Sequence, residues 1–180
     1  ALYSNIAGGY NTASGLQEVY ANTTGGYNAA FGHNALYTNT TGTYNTAIGY
    51  AADVGSVNLT NATAIGNGAA VDASNKIRLG NTSVTVIEGQ VAFSSSSDRR
   101  LKKDIVNTRY GLNTVLDLRP VDYQMKSNSL EQIGFIAQEL RPIVPEAVTG
   151  IEGDLEKGET LGEAYKTLIP VLTKEIQEQQ

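Results

Sequence analysis

Polar and apolar positions in the first half of the chain recur at a fixed step. "GGYNTASG" (8–15), "GGYNAAFG" (25–32) and "GTYNTAIG" (42–49) are each displaced by 17 residues, and "NATAIG" (61–66) continues the register. Gly15, Gly32, Gly49 and Gly66 keep that step. So do Ala13, Ala30, Ala47 and Ala64, and the tyrosine series 10/27/44 and 3/20/37. Each unit alternates small or apolar residues with polar ones, then passes into glycine and asparagine turn chemistry. One such unit cannot bury a core, whereas stacked units can. The pattern predicts a β-solenoid or β-roll, with the Ala positions and the Ser/Phe/Ile positions alternating between interior and neighbour contacts. Glycine at fixed positions predicts positive φ or close approach of successive coils.

The pattern then changes. Residues 71–93, "VDASNKIRLGNTSVTVIEGQVAF", lose the repeat, and the alternation in "TSVTVIEGQVAF" predicts strands that close the shaft. Leu112, Val115, Leu116 and Leu118 follow at helical spacing until Pro120 stops the helix. "VDYQM" predicts a short strand. "LEQIGFIAQELRPIVPEAV" predicts a strand-to-helix transition around Gly134, broken by Pro142 and Pro145. "IEGDLEKGET" (151–160) predicts a charged hairpin or loop. In the tail, Tyr165, Ile169, Leu172 and Ile176 stand at 4-3-4 spacing, a coiled-coil-like seam with Lys and Glu outside. Partner chains would support so short a helix, since isolated helices below about 12–15 residues are marginal. An ordinary amphipathic core helix is the competing reading. Pro170 fits only near a helix start or a kink.

Composition sharpens the division. Residues 1–93 hold four acids, two bases, 13 of the 19 glycines and no proline, while residues 94–180 hold 14 acids, 11 bases and all four prolines. Two structural units, 1–93 and 94–180, are expected. The fold class is an N-terminal all-β repeat shaft, a β-roll or triple β-helix, followed by a small α+β domain with a C-terminal coiled-coil-like helix. Alanine buries little area at about 25 cal/mol per Å², so association of several chains would supply the missing burial.

A net charge of −5 without a basic face argues against nucleic acid. The chain has no cysteine and one histidine, His33, which excludes thiolate and multi-histidine metal sites, and no cofactor is expected. His33 has no acid nearby and is expected to be structural. No apolar run approaches the roughly 18 residues of a membrane span, so membrane insertion is not expected. The start lacks a basic or apolar leader, so no signal peptide is expected, and it reads as the cut edge of a longer protein. The repeat Tyr, Asn and Thr residues could contact sugar, but turns and ladders are their commoner use. The sequons at Asn22, Asn39, Asn58, Asn61 and Asn81 are expected by chance. Pro142 and Pro145 separate Glu139 from Glu146, which argues against a paired-carboxylate site and leaves Glu139 as a surface or inter-chain contact.

"NTAIGYAA" (45–52) and "ATAIGNGAAV" (62–71) resemble the head repeats of trimeric autotransporter adhesins over about the first 70 residues. That implies a left-handed β-roll around a trimer axis, in a family whose usual period is shorter. "SSDRRLKKDI", then "GFIAQEL" followed by "VPEAV", then "YKTLIPVLTKEIQE" resemble, in that order over 94–180, the C-terminal intramolecular chaperone of phage endosialidases, tail spikes and tail fibres. This resemblance implies a homotrimer whose C-terminal domain nucleates folding of the β-rich shaft. It then implies release by a serine–lysine dyad. The family's serine directly precedes an Asp, and its lysine lies five residues on, which are Ser97 and Lys102 here. The implied setting is a virion tail assembled in the host cytoplasm, with the released fragment not retained. The implied partner of the mature fibre is a host-cell surface receptor, carbohydrate being one candidate.

The residues suit that chemistry. A serine hydroxyl is a weak nucleophile until a base takes its proton. With no histidine suitably placed, lysine is the available base. It would have to be partly neutral, through burial or through the neighbouring cations Arg99, Arg100 and Lys103. Backbone N–H groups or an arginine would hold the oxyanion. Asp98 could position Lys102 or an arginine. Attack by the Ser97 hydroxyl on the Ser96 carbonyl closes a five-membered ring, which favours cleavage at Ser96–Ser97 and fragments of 96 and 84 residues. Ser97–Asp98 stays open if another nucleophile, such as water, attacks. On the residues alone, a solvated linker competes. The rival functions are a bacterial surface adhesin with a non-cleaving stalk and a membrane-associated transcription factor of the same peptidase family.

Overall fold

The 17-residue step is the length of one solenoid coil. In a computed structural model, which describes residues 1–126, 129, 131–154 and 159–180, strands β1 (Thr12–Ser14), β2 (Ala29–Phe31), β3 (Thr46–Ile48) and β5 (Thr63–Ile65) stack in parallel. Ala13, Ala30, Ala47 and Ala64 lie in register. A second ladder pairs β4 (Asp53–Val54) with β6 (Ala70–Val71). The chain divides into two compact units, residues 1–85 with 153–160, and residues 86–152 with 161–180.

Successive strand residues face opposite ways, which sorts the repeat. Ala30, Ala47 and Ala64 are fully buried, while Phe31 and Ile48, one position on, are 43% exposed. The alanine column and Val19, Leu36, Ala52, Val54, Ala69 and Val71 form the solenoid core. Small side chains let successive coils approach closely. Gly32 and Gly49 sit at φ of 126° and 128°, where an added Cβ would meet the next coil's backbone at 2.7 and 2.8 Å.

Two asparagine columns run through the interior. Asn22 Nδ2 donates to Asn5 Oδ1 at 2.7 Å, and Asn39 Nδ2 to Asn22 Oδ1 at 3.1 Å. In the other column, the Oδ1 of Asn11, Asn28 and Asn45 accepts a backbone N–H of the following coil, from Asn28, Asn45 and Ala62, at 2.9–3.0 Å. Asn22 and Asn39 are fully buried, so their sequons are structural. Outside, Tyr10, Tyr27 and Tyr44 adopt φ of 58–59°. That conformation costs an L-residue roughly 1–2 kcal/mol. Their rings stack at 4.8 and 5.0 Å, an aromatic contact that offsets part of the strain. Asn61 and Asn75 occupy this corner in the last coils. Tyr3, Tyr20 and Tyr37 form a second column at 5.0 and 5.3 Å, and His33 stacks on Tyr50 at 5.4 Å.

Two expectations need correction. The repeat does not stop at residue 71. Strand β7 (Ile77–Leu79) pairs with β5 through a shortened 14-residue step, Thr63 opposite Ile77. Arg78 takes the alanine position and ends the column. The alternating stretch 82–93 forms no strand. Val84, Val86, Ile87, Val91 and Phe93 are all exposed. Alternation specifies a strand only where a ladder partner and a buried face exist, and the single chain offers this stretch neither.

Half-buried Asp53 accepts from the Val54 N–H at 2.8 Å and the Thr38 N–H at 3.1 Å. Burial nevertheless raises its carboxyl from 3.8 to about 6, outweighing those hydrogen bonds. The folded solenoid therefore binds this proton more tightly than the unfolded chain. The resulting stability is present below the unfolded value and is lost as pH rises through about 6. Relative to Asp53→Asn, which cannot titrate there, the wild type should lose about 2 kcal/mol between about pH 4 and pH 7. Paired urea melts at the two pH values measure this. An unchanged difference would contradict it.

In the second unit, α1 (Leu112–Asp117) ends before Pro120, and the hairpin β8 (Val121–Gln124) and β9 (Glu131–Gly134) follows. Helix α2 (Ala137–Leu140) stops ahead of Pro142, as the proline requires. A 3-10 turn at Pro145–Ala147 then leads into β10 (Val148–Gly150), antiparallel to β11 (Leu161–Glu163). The expected 151–160 hairpin or loop falls on that connection, and its residues 155–158 lie outside the described residues. Leu140, Val144, Ala147 and Leu168 form the core, with Phe135, Ile143 and Val148 packed against it. The quoted motifs "GFIAQEL", "VPEAV" and "YKTLIPVL" therefore meet in one place.

A 3-10 turn at Tyr165–Thr167 runs into α3 (Leu168–Glu178), with Pro170 in the first helical turn. Glu178 Oε2 accepts the Leu112 N–H at 2.9 Å, which fixes the helix end against the start of α1. Leu168 and Val171 are buried, whereas Tyr165, Ile169, Leu172 and Ile176 are all at least 45% exposed. The seam residues are thus not the ones that fill the domain's core. Among the described residues no helix is long and apolar enough to cross a membrane.

Candidate functional site

The serine run reaches a single tight turn. Asp98 caps the 3-10 turn Arg99–Leu101, its Oδ1 accepting the Arg100 N–H at 2.8 Å. Leu101 N–H donates to the Asp98 carbonyl, and Lys102 N–H to the Arg99 carbonyl at 3.1 Å. A 3-10 turn advances only about 2 Å per residue. It therefore brings together the side chains of the residues flanking it. Lys102 Nζ lies 2.7 Å from Ser97 Oγ, donating to it.

Asp98 grips Arg100 rather than Lys102. Arg100 Nη2 lies 2.7 Å from Asp98 Oδ2 and Nε 3.1 Å from Oδ1, and this pairing lowers the Asp98 carboxyl and raises the Arg100 guanidinium. With Nε and Nη2 engaged on Asp98, Arg100 braces the turn. Residues 91–109 are all exposed, so the single chain does not provide the buried setting expected around the lysine.

A second lysine reaches the run. Lys166 Nζ donates to Ser95 Oγ at 2.6 Å. The two residues stand 71 positions apart, and no local motif marks the pairing. Glu139 and Glu146 each have their own partners. Arg119 Nε donates to Glu139 at 2.8 Å, while the Tyr110 hydroxyl donates to Glu146 at 2.6 Å and Arg109 at 3.0 Å. Both carboxyls are lowered by these hydrogen bonds. Separately satisfied in this way, they do not form an acid–base pair.

Residues 97–149 match the model of the Peptidase S74 family, described as the chaperone of endosialidase. This is a family of self-cleaving serine–lysine peptidases. The match begins at Ser97 and takes in the capped turn, α1, the β8–β9 hairpin and α2. A β-solenoid precedes it. No curated protein and no solved structure matches the chain.

Proposed function

We propose that this chain, a β-solenoid followed by a chaperone-of-endosialidase domain at residues 97–149, is the distal part of a trimeric phage tail fibre or spike whose C-terminal domain folds the shaft and then cuts itself free. The observation that carries this reading is the 2.7 Å contact between Ser97 Oγ and Lys102 Nζ at the first residue of the family match.

In this reading, neutral Lys102 takes the Ser97 hydroxyl proton as Oγ attacks the Ser96 carbonyl carbon. The tetrahedral intermediate collapses by breaking the Ser96–Ser97 C–N bond. The proton passes to the departing Ser97 nitrogen, leaving an ester between Ser96 and the Ser97 side chain. Water hydrolyses that ester to a Ser96 carboxylate and a free Ser97 hydroxyl. A single round suffices, and release removes the route back to the unassembled chain, giving the shaft kinetic stability.

Two exposed apolar stripes support a homotrimer. Phe31, Ile48, Ile65 and Leu79 align along the solenoid, and Tyr165 of the preceding turn with Ile169, Leu172 and Ile176 of α3 form the other. Apposed chains would bury both stripes, and would enclose a dyad that is exposed in one chain. The trimer should sediment at three times the chain mass of 19.1 kDa, and a monomer at working concentration refutes it. For cleavage, the folded wild type is resolved on a denaturing gel and the products are weighed by mass spectrometry. Fragments of 96 and 84 residues identify Ser96–Ser97 as the bond, and a break after residue 97 assigns Ser97–Asp98 instead. A chain that stays whole returns the reading to an adhesin with a non-cleaving stalk. The mature shaft would meet a host-cell surface receptor.

A further inference from the structure

We infer that Lys166 is a positioning residue for self-cleavage, gripping Ser95 so that the Ser96 carbonyl is presented to the Ser97 hydroxyl; this rests on the reading of Ser97 as the nucleophile. The contact is Lys166 Nζ to Ser95 Oγ at 2.6 Å. The two ends of that contact differ in what holds them. Lys166 sits in the turn Tyr165–Thr167, closed by the Thr167 N–H on the Ala164 carbonyl at 2.8 Å. The next residue, Leu168, is buried against Leu140, Val144 and Ala147. Ser95 lies in exposed chain that has no helix or strand between residues 80 and 98. The lysine thus ties a loose segment to the domain core.

What it ties down is the acyl half of the scissile bond. Ser96 supplies the electrophilic carbon and stands between two hydroxyls, each held by a lysine: Ser95 by Lys166 and Ser97 by Lys102. A serine in free chain would sample many orientations of its carbonyl, and the rate of an intramolecular attack depends on how often the reacting atoms meet in line. Fixing both neighbours of that carbonyl narrows the sampling. The lysines have different duties. Lys102 must accept a proton, whereas Lys166 needs only to donate a hydrogen bond. Because Lys166 lies two residues before α3, the grip forms once the C-terminal helix has docked, and cutting is slower before that.

The test uses the full chain and follows the rate of fragment appearance after folding. Lys166→Met and Ser95→Ala should each slow cleavage about tenfold, equivalent to one lost hydrogen bond in the transition state. The double variant should be no slower than either single one, because both remove the same contact. Lys166→Arg, which keeps a donor, should cut at close to the wild-type rate. A merely structural lysine would show neither the rescue nor the non-additivity. Wild-type rates in both single variants, or multiplying losses in the double, overturn the inference. Should Lys166→Met fail to fold, Ser95→Ala decides, since Ser95 is exposed and outside any element. A wild type that never splits removes the reading of Ser97 and this grip together; a wild type that splits no faster than the variants removes the grip alone.

Discussion

Ser97→Ala should leave the folded chain whole at 180 residues, with cleavage slowed by about 10³-fold or more, as removing a nucleophile does in other serine peptidases. Among the described residues, Ser97 carries the hydroxyl hydrogen-bonded to Lys102. The next serine hydroxyl with a described lysine contact, Ser95, is held by Lys166 instead. Lys102→Arg should be as inert as Ser97→Ala, because a guanidinium cannot take up the proton. The same Lys→Arg change should therefore be harmful at position 102 and tolerated at position 166. Both variants should fold, since neither residue is buried and neither belongs to a core cluster. Undiminished cutting by Ser97→Ala would eliminate the dyad, whatever the distance between the two side chains.

The second large effect is inside the solenoid. Asn45→Ala should destabilise it by about 3–5 kcal/mol, because each buried polar group left without a partner costs about 1–3 kcal/mol. Asn45 accepts the Ala62 N–H at 2.9 Å and donates to the Leu59 carbonyl at 2.7 Å and to Asn39 Oδ1 at 3.2 Å. Alanine satisfies none of these, and at a fully buried position water does not replace them. Asn45→Asp is no remedy, since it deletes both side-chain donations and places a carboxylate in the interior. Asn61 is the control. Its exposed side chain pairs with exposed Asn75 at 2.9 Å, so Asn61→Ala should cost no more than about 1–2 kcal/mol, arising from alanine at the left-handed φ of 54°. Urea melts of the two variants, followed by far-ultraviolet dichroism, compare them directly. Equal losses would mean that the interior column does not carry the coil-to-coil contact.

The sequence made the solenoid legible because its periodicity is the structure's periodicity. Gly15, Gly32 and Gly49 announce a 17-residue coil before any strand is assigned. Alternation also sorted the faces, with Ala inward and Phe31 or Ile48 outward. It failed at residues 82–93, where the same alternation has no neighbour to pair with. The shortened last step was hidden because Ile77, Arg78 and Leu79 match the preceding strands at none of the three register positions, facing Thr63, Ala64 and Ile65. Left-handed tyrosines could not be foreseen, since that conformation is disfavoured for a bulky side chain and is sustained here by ring stacking between coils.

At the candidate site, legibility followed separation along the chain. Ser97 and Lys102 are five residues apart, and a resemblance to known motifs was enough to pair them. In the sequence Asp98 has Lys102 or an arginine as possible partners, and its choice of Arg100 depends on the geometry of one turn. Lys166 belongs to a part of the chain whose tertiary placement no periodicity encodes. The exposed seam of α3 had two readings in sequence, core helix or inter-chain contact. Leu168 and Val171, not the seam residues, are buried, which removes the core-helix reading and leaves the inter-chain contact as a proposal.

The tyrosine columns give the molecule an optical signature. The chain has ten tyrosines and no tryptophan, and six of those tyrosines lie in two columns of near-parallel rings about 5 Å apart. Rings so close and so aligned couple their electronic transitions, and the coupling vanishes when the coils come apart. Near-ultraviolet signals from this protein therefore belong chiefly to the solenoid, so its folding can be followed apart from that of the C-terminal unit without attaching a label to either.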